Sequence, residues 1–158
     1  MAALADQRLA ELLDAVAAPT PAPGGGSSTA IVCALAAALV EMAAGIGGAG
    51  NAEAARALRG RALELAEREL SSYAPVFEAR RLPADDPARP EQIAAALERA
   101  SAAPREIAAV ADEIVVLARR VGTEVSAAVR GDAETGRLLA EAAGAAAALL
   151  VETNQGDG

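Results

Sequence analysis

Every run of apolar residues in this chain repeats at the period of a helix, and none alternates at the period of a strand. Leu9, Leu12, Leu13 and Val16 fall at i, i+3, i+4 and i+7. Ile107, Val110, Ala111, Ile114, Val115, Ala118, Val121 and Val125 draw one long stripe that continues to about Val129. The interior chemistry agrees. Apolar residues fill 53% of the 158 positions but aromatics only 1%, namely Tyr73 and Phe77, and alanine alone takes more than a quarter. A core of Ala, Leu and Val favours helix over sheet. The length suits one core, so the chain is expected to be a single all-α domain, 1–158, with about five to six helices.

The spacing predicts a first amphipathic helix over roughly 4–17, then a breaker from Pro19 to Ser28 made of prolines followed by three glycines. Ser27 or Ser28 is a candidate N-cap for the apolar helix that runs to about Gly45. A third helix is expected from Asn51 to Arg81 with a kink at Pro75, and a short fourth one over 91–102. Pro104 suits the first position of the next helix. Gly131-Asp132 reads as a turn before a last, alanine-rich helix over 134–151. The stretches 28–45 and 138–151 are apolar nearly all round, which predicts that both are covered, centrally in a homodimer.

Two absences narrow the chemistry. There is no His, and all 14 basic residues are Arg. A Ser-His-Asp triad, a Cys-His pair, an imidazole metal ligand, a Schiff-base lysine and a P-loop lysine are therefore excluded. Cys33 is the single cysteine and forms no internal disulfide or zinc site. Proton transfer falls to Asp, Glu or Tyr73. A net charge of −8 argues against nucleic acid and anionic membrane as partners. The N-terminus carries Asp6, Arg8 and Glu11 and has no secretory h-region, and the apolar run from Thr29 to Val40 is short for a membrane span. The expected location is the cytoplasm.

Two constellations stand out. On a helical wheel centred on Glu69, the residues Leu58, Ala62, Leu65, Ala66, Tyr73 and Val76 lie within about 60°, while Glu64, Glu67 and Arg68 point away. Glu69 thus sits in the face that should be buried, with both aromatics one and two turns on. A carboxylate so placed tends toward a raised pKa, as a general acid–base needs; the plainer reading is a structural ion pair with an Arg of a neighbouring helix. Gly24-Gly25-Gly26-Ser27 offers backbone N–H groups at a helix N-terminus, an anion cradle by one reading and a flexible connector by the other.

Pro23-Gly24-Gly25-Gly26-Ser27, followed by a helix ending Ala38-Leu39-Val40-Glu41-Met42, resembles the cyclodeaminase/cyclohydrolase family of folate enzymes. Its members include the C-terminal domain of formiminotransferase-cyclodeaminase and stand-alone methenyltetrahydrofolate cyclohydrolases. The resemblance continues, in order, at Phe77-Glu78-Ala79-Arg80-Arg81-Leu82-Pro83, at Arg99-Ala100 through Pro104, and at Gly131-Asp132 with a last helix ending in Asn154. It implies an all-α domain that dimerises and acts on the one-carbon bridge between N5 and N10 of tetrahydrofolate. The tetrahydrofolate derivative is then the substrate, and no tightly bound cofactor or metal is needed. It further implies Glu69 as the acid–base, with Gly24, Gly25, Gly26, Ser27, Asp132 and Asn154 lining the ligand site. Tyr73 or Phe77 would lie against the pterin ring, Arg80 would belong to the substrate-binding set, and the glutamate tail would meet Arg or backbone N–H donors.

The sequence departs from the family pattern at several points. An Asp in the family's "DAEAF" stretch aligns with Glu69 of Glu69-Leu70-Ser71-Ser72-Tyr73, which keeps the charge and adds a methylene. "Ser-Asp" becomes Gly131-Asp132, the first of two late asparagines is Leu150, and "Gly-Asn" is Val125-Ser126. Glycines replace a Thr-Gly-Lys-like segment after Met42, and the family's final C-terminal helix is expected to be missing. Two other functions compete with catalysis: a module that binds a folate or other small anion without turning it over, and a structural helical dimer.

Overall fold

A computed structural model describes residues 3–156, and all regular structure among them is helical. A single 3-10 turn, Leu4–Asp6, precedes seven α-helices: α1 (Leu9–Ala17), α2 (Gly25–Gly47), α3 (Ala52–Ser72), α4 (Ala74–Arg80), α5 (Arg89–Ala100), α6 (Ala102–Glu124) and α7 (Ala127–Gly156). The four long helices α2, α3, α6 and α7 make the body of the bundle, and α2 packs against the other three. The short α4 and α5 pair with each other at one end over a small core of their own, Val76, Ala79, Ala96, Leu97 and Ala100.

The all-α expectation holds, with seven helices where about five to six were expected. The extra breaks have local causes. Pro75 has no N–H to give the carbonyl of Ser71, so α3 stops at Ser72 and α4 begins afresh at Ala74. A second break falls at Val125, whose backbone is extended, and the carbonyl of Ser126 accepts the amides of Val129 and Arg130 to open α7. Gly131-Asp132, expected to be a turn, therefore lies inside α7. Pro104 is the third residue of α6 rather than its first, and the expected helix over 4–17 is divided into the 3-10 turn and α1. At the head of α2 the N-cap is Gly24, so Ser27 and Ser28 are inside the first turn and cap nothing.

α2 is long and apolar enough to cross a bilayer, yet in this fold it is the central helix of the bundle. Ala30, Cys33, Ala36, Ala37, Val40, Ala43 and Ala44 have no exposed surface, and burial pushes the Cys33 thiol up to about 11. The side chains are small because the neighbouring backbones come close. A Cβ on Gly136 of α7 would lie 2.8 Å from the Ala36 carbonyl oxygen and 2.9 Å from Val40 Cγ2. One on Gly47 would lie 2.3 Å from Val125 Cγ1, so the end of α2 rests on the extended residue between α6 and α7. Gly48, at φ +68°, then ends α2 with the Ala49 amide donating to the Ala44 carbonyl at 2.9 Å. Beside that end, Glu41 accepts from Arg56 Nε at 2.8 Å and Arg59 Nε at 2.9 Å, which ties α2 to α3.

Gly136→Ala is expected to lower stability by about 1–3 kcal/mol, because the obstructing atom is backbone and cannot swing aside. Gly60→Ala, where nothing approaches the added carbon, is expected to raise it by about 0.4–1 kcal/mol. Urea unfolding midpoints compare the two directly.

Candidate functional site

The first turn of α2 points into a cleft of about 480 Å³ bounded by α3, α4, the end of α5, the start of α6 and the C-terminal end of α7. Ser28 is the first α2 amide to find an intrahelical acceptor, the Gly24 carbonyl at 3.0 Å, so the amides of Gly25, Gly26 and Ser27 precede the ladder. The Ser27 hydroxyl is already used: buried, it donates to the Ala66 carbonyl at 2.9 Å and pins α2 to α3. Leu150 of α7 covers Gly25, its Cδ2 3.5 Å from where a Cβ would stand.

Glu69 projects from α3 onto this turn. A Cβ on Gly26 would fall 1.8 Å from Glu69 Oε2 and 2.5 Å from Cδ, so the carboxyl group occupies the space that glycine leaves open. Its Oε1 is buried and has no hydrogen-bond partner among the described residues. The neighbouring Arg68 is turned away and clasps Glu106 with both terminal nitrogens at 2.8 Å. Burial pushes the Glu69 carboxyl above the ordinary range, opposed by the Ser72 hydroxyl and by the charge of Arg68. The structural ion pair with an Arg of a neighbouring helix, the plainer sequence reading, is not formed among the described residues.

Tyr73 at the α3–α4 junction and Phe77 on α4 meet edge to face, with ring centroids 5.2 Å apart and an interplanar angle of 70°. Both line the cleft, as does the buried Asn154 of α7. The fold therefore brings Gly24, Gly25, Gly26, Ser27, Glu69, Tyr73, Phe77 and Asn154 to one place.

Two residues expected at the site are elsewhere. Arg80 is exposed on the last turn of α4 and outside the cleft wall. Asp132 lies near the other end of α7, about 33 Å along the helix from Asn154 at 1.5 Å per residue. Sequence reasoning passed over Leu70, Ala100 and Pro104, which supply apolar wall. Ala100 and Pro104 carried a signal, since they bound the segment Arg99 to Pro104 that resembles the folate enzymes. Leu150 was noted only as a departure, yet it forms wall beside Gly25.

The family model for formiminotransferase-cyclodeaminase matches residues 8–157. The chain belongs to the formiminotransferase-cyclodeaminase family. Among solved structures, a formiminotetrahydrofolate cyclodeaminase from Thermotoga maritima superposes with a TM-score of 0.86 at 22% identity, covering 98% of this chain and 81% of that one. At that identity the likeness establishes the fold. No curated protein matches the chain. In this member of the formiminotransferase-cyclodeaminase family, the glycine turn that carried the resemblance is also the surface on which the inward carboxyl rests.

A glutamate whose pKa is raised on folding costs stability once it ionises. The cost is absent below the unfolded-state pKa of about 4.3 and grows as pH rises through the folded value. Glu69→Gln removes it. The variant is expected to match the parent near pH 4 and to become the more stable of the two toward pH 7, as followed by thermal melts across that range.

Proposed function

We propose that the chain is a folate-dependent one-carbon enzyme acting on the N5/N10 bridge of tetrahydrofolate, as a methenyltetrahydrofolate cyclohydrolase or a formiminotetrahydrofolate cyclodeaminase, with Glu69 as the general acid–base. The observation that carries this reading is a half-buried carboxyl, its Oε1 without a partner among the described residues, in the wall of a mostly apolar cleft. Such a group is suited to stabilise a cationic amidine and to move its proton. Tyr73 and Phe77 supply flat apolar surface for a pterin, and the first-turn amides of α2 supply donors.

In the hydrolytic direction, water adds to the methenyl carbon while Glu69 takes a proton from it. The tetrahedral adduct then breaks its bond to N5, which receives a proton, and the formyl group stays on N10. In the cyclising direction, N10 bonds to the formimino carbon and gives up its proton, and the former imino nitrogen gains that proton and one more from the carboxylic acid as its bond to carbon breaks and ammonia leaves. Both directions use the same groups. A carboxyl pKa raised toward neutrality serves each, because Glu69 must hold a proton in one step and release it in another.

The reading includes a cytoplasmic homodimer with no tightly bound cofactor. Leu35, Met42 and Ile46 form an apolar stripe along the outer side of α2 and are 54%, 41% and 67% exposed, which supports a second copy as its cover. Sedimentation is expected to give twice the 15.7 kDa chain mass and, for Ile46→Glu, the single mass. A parent protein that stays monomeric at tens of micromolar would contradict the dimer.

Glu69→Gln is expected to lower kcat/KM by about 10²–10⁴-fold toward the competent folate while leaving its binding near that of the parent. Turnover that survives the change, read from the methenyl absorbance, overturns the assignment of Glu69. Binding by the parent without any turnover of either folate points instead to a binding module.

A further inference from the structure

Three aliphatic hydroxyls reach the cleft wall, those of Ser27, Ser72 and Thr153. Two are spent on carbonyls away from Glu69: Ser27 donates to Ala66 and Thr153 to Leu149, each at 2.9 Å. The third is spent on Glu69 itself. Ser72 lies three residues on, where side chains of one helix are neighbours, and its hydroxyl donates to the Glu69 backbone carbonyl at 3.1 Å. That is the ordinary back-bond of a serine in a helix. It is readily given up for an ionised acceptor, because a hydrogen bond to a charged oxygen is roughly twice as strong as one to a neutral oxygen.

Such an acceptor is available on the same residue. Glu69 Oε1 is buried and unmet among the described residues. Burial raises the carboxyl's pKa, and the Ser72 hydroxyl opposes that rise more than the charge of Arg68 does. The elements packed around the carboxyl bring little else that ionises. α2 presents Gly25, Gly26 and Ser27, α4 presents Phe77, and α7 presents Leu150 and Asn154; Tyr73 is the one other titratable residue in the wall, and Arg68 is turned to Glu106.

A hydroxyl has one proton to give and two lone pairs with which to receive. With the carboxyl protonated, its O–H donates to Ser72 Oγ while the serine keeps its bond to the Glu69 carbonyl. With the carboxyl ionised, the Ser72 O–H turns to Oε1 and releases the back-bond. We propose that Ser72 is the positioning residue of Glu69, its hydroxyl meeting the buried carboxyl oxygen in both protonation states and keeping the group aimed while the proton comes and goes. The inference rests on Glu69 as the acid–base of the proposed reaction and adds the group that holds it.

The test is a carbon-detected NMR titration of the Glu69 side-chain carboxyl, its signal assigned by its loss in Glu69→Gln. Ser72→Ala is expected to move the midpoint to higher pH, since the ionised form loses its donor, and Ser72→Thr, which restores a hydroxyl, to bring it back. Ser71→Ala, which lies outside the cleft wall, is expected to leave it in place. In whichever folate reaction the parent catalyses, Ser72→Ala is expected to lower kcat about tenfold with KM near that of the parent. The limb of the pH profile governed by Glu69 moves to higher pH in step with the carboxyl, and Ser72→Thr reverses both effects. A midpoint that Ser72→Ala leaves in place, or one that it raises and Ser72→Thr fails to bring back, overturns the inference and leaves the folate reading standing. A parent that turns over neither folate overturns the folate reading, and the role of Ser72 in catalysis falls with it, whatever the carboxyl titration shows.

Discussion

The molecule is organised by how little side-chain volume stands on the buried face of α2. Three glycine contacts, one near each end and one midway, set how close its neighbours come. Glu69 of α3 lies on Gly26, Gly136 of α7 lies on the Ala36 carbonyl, and Gly47 lies against Val125 at the α6–α7 break. Alanines fill the turns between, with surfaces wholly removed from water. Packing of this kind leaves little slack, and at Gly136 an added methyl meets the Ala36 backbone, which cannot rotate away. The placement of the candidate site follows from it. The first turn of α2 is held against α3 by the Ser27 hydroxyl, and the carboxyl of Glu69 has one place to go.

The same closeness accounts for the electrostatics. A carboxyl pressed onto a glycine between two helices is shielded from water, and no described side chain donates to its Oε1. An unmet acceptor in such a place is costly, which makes it poor structural material and good material for meeting a cationic or N–H-bearing ligand. The surface arginines behave differently. Arg56, Arg59, Arg61, Arg68 and Arg105 each hold a glutamate from another helix, and such exposed pairs contribute little beyond orientation.

Much of this was legible in the sequence. The helical period fixed the fold class, and the wheel about Glu69 identified the inward carboxyl without reference to any relative. The Pro-Gly-Gly-Gly-Ser run carried the family. What escaped had physical reasons. Val121, Val125 and Val129 keep one apolar period across the α6–α7 break, so periodicity carried the stripe through a residue that is extended. Gly131-Asp132 has turn chemistry, yet α7 passes through it. Asp132 then falls at the far end of a 30-residue helix from Asn154, a separation that local pattern does not encode.

The central claim is that the carboxyl on Gly26 acts on the one-carbon bridge of a reduced folate. Its most direct test is a thermal-shift titration of the unaltered protein with 5,10-methenyltetrahydrofolate and, in parallel, 5-formiminotetrahydrofolate, following the methenyl absorbance against protein-free blanks. The account predicts a raised melting temperature together with accelerated loss of the methenyl band from the first ligand or accelerated gain of it from the second. No shift and no change of rate with either ligand, at millimolar concentration, would contradict it and leave only the fold.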